Sequence, residues 1–354
     1  MRRFAPLVLW LVAVVGARAQ APLVKLPRTD LYGHAYIRLE DWARANNFSV
    51  KYSSTSPVVQ VTNRWARLRF ETDSRKAEID GITVHLSNPI AKRSGTAFIT
   101  ALDLQTAVQP VLFPAKNAAS KRVRTICLDP GHGGKDTGFV VGRQQEKIST
   151  LRLAQEVRDR LAEAGLNVIL TRNSDSTLDI YDRPDIARRK GADMLVSLHF
   201  NSGGTGGGEA HGSEVYCMTP VGASSTNARG EGAGTGAYPG NKFNDQSLLL
   251  AYQIQKRLGR DLDVEDRGVR RARFVVLKET TMPAVLIEGG YLSHPTEGRK
   301  IADPVYLRQL AGAIADGILA YQRLVERSPD SAPSKATTAT KKKKSSGPAT
   351  ASTR

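Results

Sequence analysis

Residues that together can hold a catalytic divalent metal recur at the ends of apolar runs. His132 lies in Asp129-Pro130-Gly131-His132-Gly133-Gly134, directly behind the apolar stretch Val123 to Leu128. Glu146 follows in the same region. His199 closes a second apolar stretch in Ser197-Leu198-His199-Phe200-Asn201, and Glu288 ends a third, Ala284 to Ile287. Two histidines and a carboxylate are a common ligand set for catalytic zinc, and three protein ligands leave the fourth tetrahedral position for water or substrate. The other histidines are placed less well. His34 and His85 fall in an earlier part of the chain. His211 sits in a Gly-rich loop as a rival ligand but ends no apolar run, and His294 precedes Pro295 as a turn residue.

The elements that must position these groups alternate. Strands are expected at Arg122 to Leu128, Asn167 to Thr171, Asp193 to His199, Ser213 to Met218, Phe274 to Leu277 and Ala284 to Glu288. Helices are expected near Glu146 to Ala164, Arg183 to Lys190, Asp245 to Leu262 and Pro304 to Glu326. In the first helix Ile148, Leu151, Ala154, Val157 and Leu161 share a face at helical spacing, and Gly165 stands where a helix C-cap is wanted. Such alternation predicts an α/β domain, a mostly parallel sheet with helices on both faces. Ligands on these sheets gather at the carboxyl ends of strands, where His132, His199 and Glu288 fall.

Four regions separate along the 354 residues. Residues 1–19 read as a secretory signal: Arg2 and Arg3, an apolar core from Leu7 to Val15, and Ala17-Arg18-Ala19 as a cleavage site. The core is too short to span a bilayer, which needs about 20 apolar residues. The mature chain is therefore expected outside the cytoplasm, in the periplasm or at the cell wall, without a transmembrane segment. Residues 22–115 read as a small α+β domain with a weak repeat. Gly33-His34-Ala35-Tyr36-Ile37 leads into Asp41-Trp42, and Gly95-Thr96-Ala97-Phe98-Ile99 leads into Asp103-Leu104. Between the copies lie alternating segments, with Asp80-Gly81 as a hairpin turn. Residues 120–326 carry the site. Residues 327–354, rich in Ser, Thr, Ala, Pro and Lys, cannot bury enough surface to offset chain entropy and are expected to be disordered.

The net charge of +17 suggests an anionic partner. No nucleic-acid-binding signature is present, and export points instead to cell-wall polymer or anionic lipid. The two cysteines, Cys127 and Cys217, are expected as buried free thiols.

The ordered set Gly131-His132-Gly133-Gly134, Glu146-Lys147, Arg183, Ser197-Leu198-His199-Phe200-Asn201, Gly212-Ser213-Glu214, Arg267-Gly268-Val269, Met282-Pro283-Ala284-Val285-Leu286-Ile287-Glu288 and Leu292-Ser293 resembles the zinc-dependent N-acetylmuramoyl-L-alanine amidases of bacterial cell walls. The resemblance covers residues 122 to 325. It implies zinc held by His132, Glu146 and His199, with Glu288 as catalytic acid/base and peptidoglycan as substrate. His294 departs from the pattern, which usually carries Asn there. The first domain resembles the small repeat domain at the N-terminus of copper amine oxidases, and is read as a binding or spacer module without copper. A monomer is expected, and the pattern leaves room for an activator protein.

Around the core set, Arg183 is a candidate for binding a stem-peptide carboxylate, against a surface arginine or an ion pair with a nearby Asp. Glu214 is a candidate for lining the site or bracing His199, and Asp129 for shaping the turn before His132. The Gly-rich stretches within 201–244 read either as lid or binding loops or as a floppy insertion. Two rival readings remain: an exported zinc peptidase or carboxypeptidase acting on wall peptides, since the ligand set alone names no bond, and a non-catalytic wall-binding protein.

Overall fold

The computed structural model describes residues 25–118, 121–203, 209–227, 232–234 and 236–326. The expected signal segment, the basic tail and parts of the Gly-rich loops lie outside the described residues.

The N-terminal unit runs β1 (Arg28–Leu31), β2 (His34–Arg38), α1 (Leu39–Ala45), β3 (Ser49–Tyr52), β4 (Val58–Thr62), β5 (Arg67–Glu71), β6 (Lys76–Ile79), β7 (Ile82–His85), β8 (Ala91–Arg93), β9 (Thr96–Thr100) and α2 (Ala101–Asp103). A π-helical turn at Leu104–Val108 joins α2 to α3 (Gln109–Leu112). The internal repeat has a structural meaning: β2 and β9 pair antiparallel, with Ile37 opposite Ile99, and a helix follows each. Asp103 caps the second copy by accepting from Thr100 Oγ1 and from the backbone N–H groups of Ser87 and Asn88. Strands β3 to β7 form an antiparallel meander. Its alternating sequence buries every second residue, as in β5, where Leu68 and Phe70 face the core.

The larger unit runs β10 (Thr125–Pro130), β11 (Val140–Val141), β12 (Gln144–Gln145), α4 (Glu146–Glu163), β13 (Asn167–Leu170), α5 (Asp182–Arg189), β14 (Met194–Asn201), β15 (Ser213–Met218), α6 (Asn244–Asp261), β16 (Asp266–Ala272), α7 (Val275–Lys278), β17 (Ala284–Tyr291), α8 (Pro295–Ala302) and α9 (Pro304–Val325). Its strands take the order β13-β10-β14-β17-β15-β16 and are parallel except at β15–β17. Helices cover both faces. One face packs Ile126, Val196, Val215 and Ile287 against α4, α6 and α9; the other packs Leu195, Tyr216 and Leu286 against α5 and α7. Cys127 and Cys217 are buried and free, and they face opposite sides of the sheet.

The sheet does not stop at the linker. β16 pairs in parallel with β7, Val269 opposite Val84, so one sheet of 11 strands runs from β13 to β3.

Three local expectations are corrected. Phe274 to Leu277 is not a strand; Val275–Lys278 is the helical turn α7, and the strand is β16 just before it. In β16 the sequence Asp-Arg-Gly-Val-Arg-Arg-Ala carries too few apolar residues to read as a strand, because its polar side chains bind the active-site region and the N-terminal unit. His294 is not merely a turn residue. Its ring accepts from the Glu297 N–H and caps α8, with Pro295 in the first turn. In α4 the buried stripe includes Leu153, whereas Ile148 and Leu151 are only partly buried.

Candidate metal centre

Strand ends and one helix start bring four groups together. His132 follows β10, His199 lies near the end of β14, Glu288 lies in β17, and Glu146 opens α4. In the parallel register His199 stands opposite Glu288. Because β15 runs antiparallel to β17, its first turn of chain also reaches this edge, placing Glu214 opposite Glu288 on the other side.

Glu146 Oε1 lies 3.1 Å from His132 Nε2 and 3.1 Å from His199 Nδ1. The two rings stand nearly perpendicular, with centroids 4.9 Å apart. Ligands on a tetrahedral zinc with bonds of about 2.05 Å would lie about 3.3 Å apart, near the two separations made by Glu146. Among the described residues this is the one His/Cys/Asp/Glu group whose ligand atoms converge in this way, all within 4.8 Å of one another.

The backbone around these groups is tightly constrained. A Cβ at Gly131 would overlap the His199 ring, and one at Gly138 would lie 2.6 Å from Glu146 Oε2. His132 itself holds a left-handed backbone, φ 61°, a strained state that persists only where neighbours enforce it. Two buried arginines do so. Arg172 donates to the carbonyls of Pro130, Gly131 and Lys147. Arg183 donates to the carbonyls of Pro130 and His132.

Arg183 also pairs with Asp129 at 2.7 Å, inside the protein. Of the readings open for Arg183, the ion pair with an Asp is the one this contact matches. Arg183 is taken up by internal acceptors rather than presented to a substrate carboxylate. Asp129 does more than shape a turn: it anchors Arg183 and accepts from Thr171 and Ser197. Burial alone would raise the Asp129 carboxyl, but Arg183 and the two hydroxyls outweigh it and hold the group below its usual range. Glu214 does not brace His199. It accepts from Asn201 and Tyr216 and pairs with Arg267 and Arg270.

Asp136 was not singled out by sequence. Its Oδ2 lies 2.8 Å from His132 Nδ1, which orients the ring so that Nε2 faces Glu146. The pattern His-x-x-x-Asp in a glycine-rich turn is the signal that could have found it. Arg172, a single arginine after β13, carried none.

Charge is distributed unevenly. Burial pushes Glu146 up, yet hydrogen bonds from His132 and His199 dominate and its carboxyl is held well below the usual range. Burial pulls His132 down, but Glu146 and Asp136 prevail and raise it. Glu288 is raised well above a normal carboxyl by burial first, then by Glu146 and Glu214. Its Oε2 is buried without a hydrogen-bond partner. Such an orphan beside three converging ligand atoms fits a centre meant to receive a cation and a water.

Residues 126–320 match the family model for N-acetylmuramoyl-L-alanine amidase. The chain belongs to the N-acetylmuramoyl-L-alanine amidase family. It is 34% identical over 231 residues to the N-acetylmuramoyl-L-alanine amidase AmiA of Escherichia coli, covering 58% of this chain and 78% of that one. It is 33% identical over 218 residues to AmiC of Neisseria meningitidis, covering 55% and 52%. Among solved structures, an N-acetylmuramoyl-L-alanine amidase from Clostridium difficile 630 aligns over 57% of this chain and 98% of its own, at 31% identity and TM-score 0.49. The amidase is a hydrolase of cell-wall peptidoglycan. Among its described residues no helix is long and apolar enough to cross a membrane.

Proposed function

We propose that this amidase cleaves the bond between N-acetylmuramic acid and L-alanine with zinc held by His132, Glu146 and His199, and with Glu288 as acid/base. The single observation that carries the reading is the convergence of His132 Nε2, His199 Nδ1 and Glu146 Oε1 beside a buried, unpartnered Glu288 oxygen. Zinc bound there supplies a Lewis acid that lowers the pKa of water and polarises a carbonyl.

The chain's own residues supply the rest. Glu288 accepts a proton from the attacking water and returns it to the departing amine of L-alanine. Burial suits it to that exchange, because a raised carboxyl can hold the proton between the two steps. Asp136 keeps His132 in one tautomer. Arg172 and Arg183 hold the strained turn that carries His132, so in our reading Arg183 is a positioning residue. Glu146 needs neutral imidazoles beside it, since both histidines must offer a lone pair to the metal.

The remaining regions fit an exported wall enzyme. We assign residues 1–19 to a cleaved signal, residues 22–115 to a binding or spacer module of the copper amine oxidase N-terminal type, residues 120–326 to catalysis, and the basic tail 327–354 to attachment to anionic wall polymer. The protein acts as a monomer on peptidoglycan and not on nucleic acid.

The test is mass spectrometry of muropeptides after incubation with the mature protein, with chelator and then with added zinc. Stem peptides beginning at L-alanine, lost with chelator and restored by zinc, are the expected products. Cleavage within the stem peptide would favour the peptidase alternative. Glu288→Gln should keep zinc and fold while losing turnover; normal turnover would remove the acid/base role.

A further inference from the structure

The turn that carries His132 leaves the sheet, and one backbone donor stays behind on β14. β10 and β14 run parallel up to Pro130 opposite Leu198, and the Gly131 N–H still reaches the Leu198 carbonyl at 3.0 Å. The next rung of a parallel ladder would run from the Phe200 N–H to the Gly131 carbonyl. That carbonyl is turned elsewhere, accepting from Thr150 Oγ1 and Arg172 Nη2, both at 2.8 Å. The Phe200 N–H lies inside the protein, where a donor without an acceptor is costly. Its acceptor is Glu146 Oε1, at 3.1 Å.

A second backbone donor meets the other oxygen of the same carboxylate. The Phe139 N–H donates to Glu146 Oε2 at 3.0 Å. Main chain from two separate segments thus grips Glu146 at both oxygens. The atom that Phe200 reaches, Oε1, is also the one that converges with His132 Nε2 and His199 Nδ1. A carboxylate oxygen has two lone pairs, so Oε1 can keep the Phe200 bond and still face a cation.

The Phe200 peptide has its own supports. Its ring is buried, and a Cβ at Gly289 would come within 3.2 Å of it, so the ring occupies space that a side chain on β17 would otherwise need. The ladder with β17 is irregular at this point. His199 pairs with Glu288 and Asn201 with Tyr291, two steps on β14 against three on β17. Asn201 holds the end of β14 across that irregularity. Its carbonyl accepts from the Leu292 N–H at 2.9 Å, and its Nδ2 donates to Glu214 Oε1 at 2.8 Å. Glu214 is buried and is fixed in turn by Tyr216 Oη and Arg270.

We propose that the Phe200 N–H is a positioning donor that sets the ligand oxygen of Glu146, and that Asn201, tied to Glu214, is the positioning residue that holds this donor in place. The proposal rests on the reading of Glu146 as a zinc ligand. It gives Glu214 a part in the metal centre that runs through Asn201 and the main chain.

The experiment is zinc binding by the full mature chain, titrated against a competing chelator, with the melting temperature of each metal-free variant measured beside it. Replacing the Phe200 amide by an ester, with the α-hydroxy analogue of phenylalanine at that position, removes the donor and leaves every side chain in place. It should weaken zinc binding about 10- to 100-fold, the scale of losing a partner behind a metal ligand. Asn201→Ala should weaken it about 10-fold. Combined with the ester, Asn201→Ala should add less than about threefold further loss, because both act on one contact. Two merely structural changes would add in full. Asn201→Ser carries the same readouts if Asn201→Ala does not fold.

Wild-type zinc affinity in the ester variant overturns the proposal. Unchanged affinity in the Asn201 variant, or losses that add in full, overturns the part given to Asn201. Glu146→Gln separates this failure from the other. If Glu146→Gln keeps its zinc, the ligand reading goes and this proposal with it. If Glu146→Gln loses zinc while the ester variant binds it normally, only this proposal goes.

Discussion

Two His–Glu contacts in this protein have the same length and different consequences. His199 Nδ1 lies 3.1 Å from Glu146, and His211 Nε2 lies 3.1 Å from Glu265. The first pair is 20% and 6% exposed; the second is 49% and 49% exposed. The first is joined by a third ligand atom, His132 Nε2, whose orientation Asp136 fixes. Beside the second stands the His294 ring, at 5.2 Å, and that ring's Nδ1 is engaged in capping a helix, while His211 Nδ1 is taken by the Glu209 carbonyl. Distance alone does not make a centre. Burial and the convergence of separate elements do, because exposed charges are already served by water.

The comparison is sharpened first by removing a ligand. Glu146→Gln should lower zinc affinity by more than about 100-fold and abolish turnover, since the effect must exceed that of losing an outer partner. Metal analysis after dialysis checks it, and retained stoichiometric zinc would break the assignment.

A third histidine, His85, lies half-buried in the seam between β7 and β16. Burial first, then Arg270, lowers its pKa from 6.5 to about 4. Between those values the unfolded chain binds the proton and the folded chain does not. Stability should therefore be full above pH 6.5 and fall by up to about 3 kcal/mol as the pH drops to 4. His85→Asn should flatten that part of the pH–stability curve, measured by denaturant melts at fixed metal content.

Smaller effects follow. Asp136→Asn should weaken zinc binding by about 10- to 100-fold while leaving one site. Titration with a competing chelator measures it, and an unchanged affinity would mean that His132 needs no such orientation. His211→Ala should change neither zinc stoichiometry nor stability by more than about 0.5 kcal/mol. A lost equivalent of metal would place a second centre at the loop and erase the contrast between the two pairs.

The proposed ligands His132 and His199, and Glu288, were legible because each closes or follows a run of apolar residues, and Glu146 because it opens a helix. Val123 to Leu128 and Ala284 to Ile287 announce buried parallel strands, and what stands at their ends is at the site. Strand β15 was legible for the same reason. Strand β16 was not, because Arg271 is buried, and Arg267 and Arg270 half-buried, by specific partners far away in sequence, and no local pattern reports a partner. The same holds for Arg172 and Arg183, whose types suggest surface or ligand contact but whose donors are turned inward to carbonyls. The hairpin at Asp80-Gly81 shows the opposite case. There the local backbone preference suffices, and both residues take positive φ.

The pairing of β7 with β16 also bears on how the chain assembles. Thr83 and Asp266, which bond across the seam, are 183 residues apart. The first unit is made early and must wait for nearly all of the second before the outer edge of β7 is paired. Contacts of such long range fold slowly and leave strand edges open meanwhile. An amidase fragment cut near residue 120 would keep β16 as a permanent sheet edge, and such an edge invites pairing with other chains. Self-association of the trimmed enzyme, absent from the full chain, is the expected cost of treating the two units as separable.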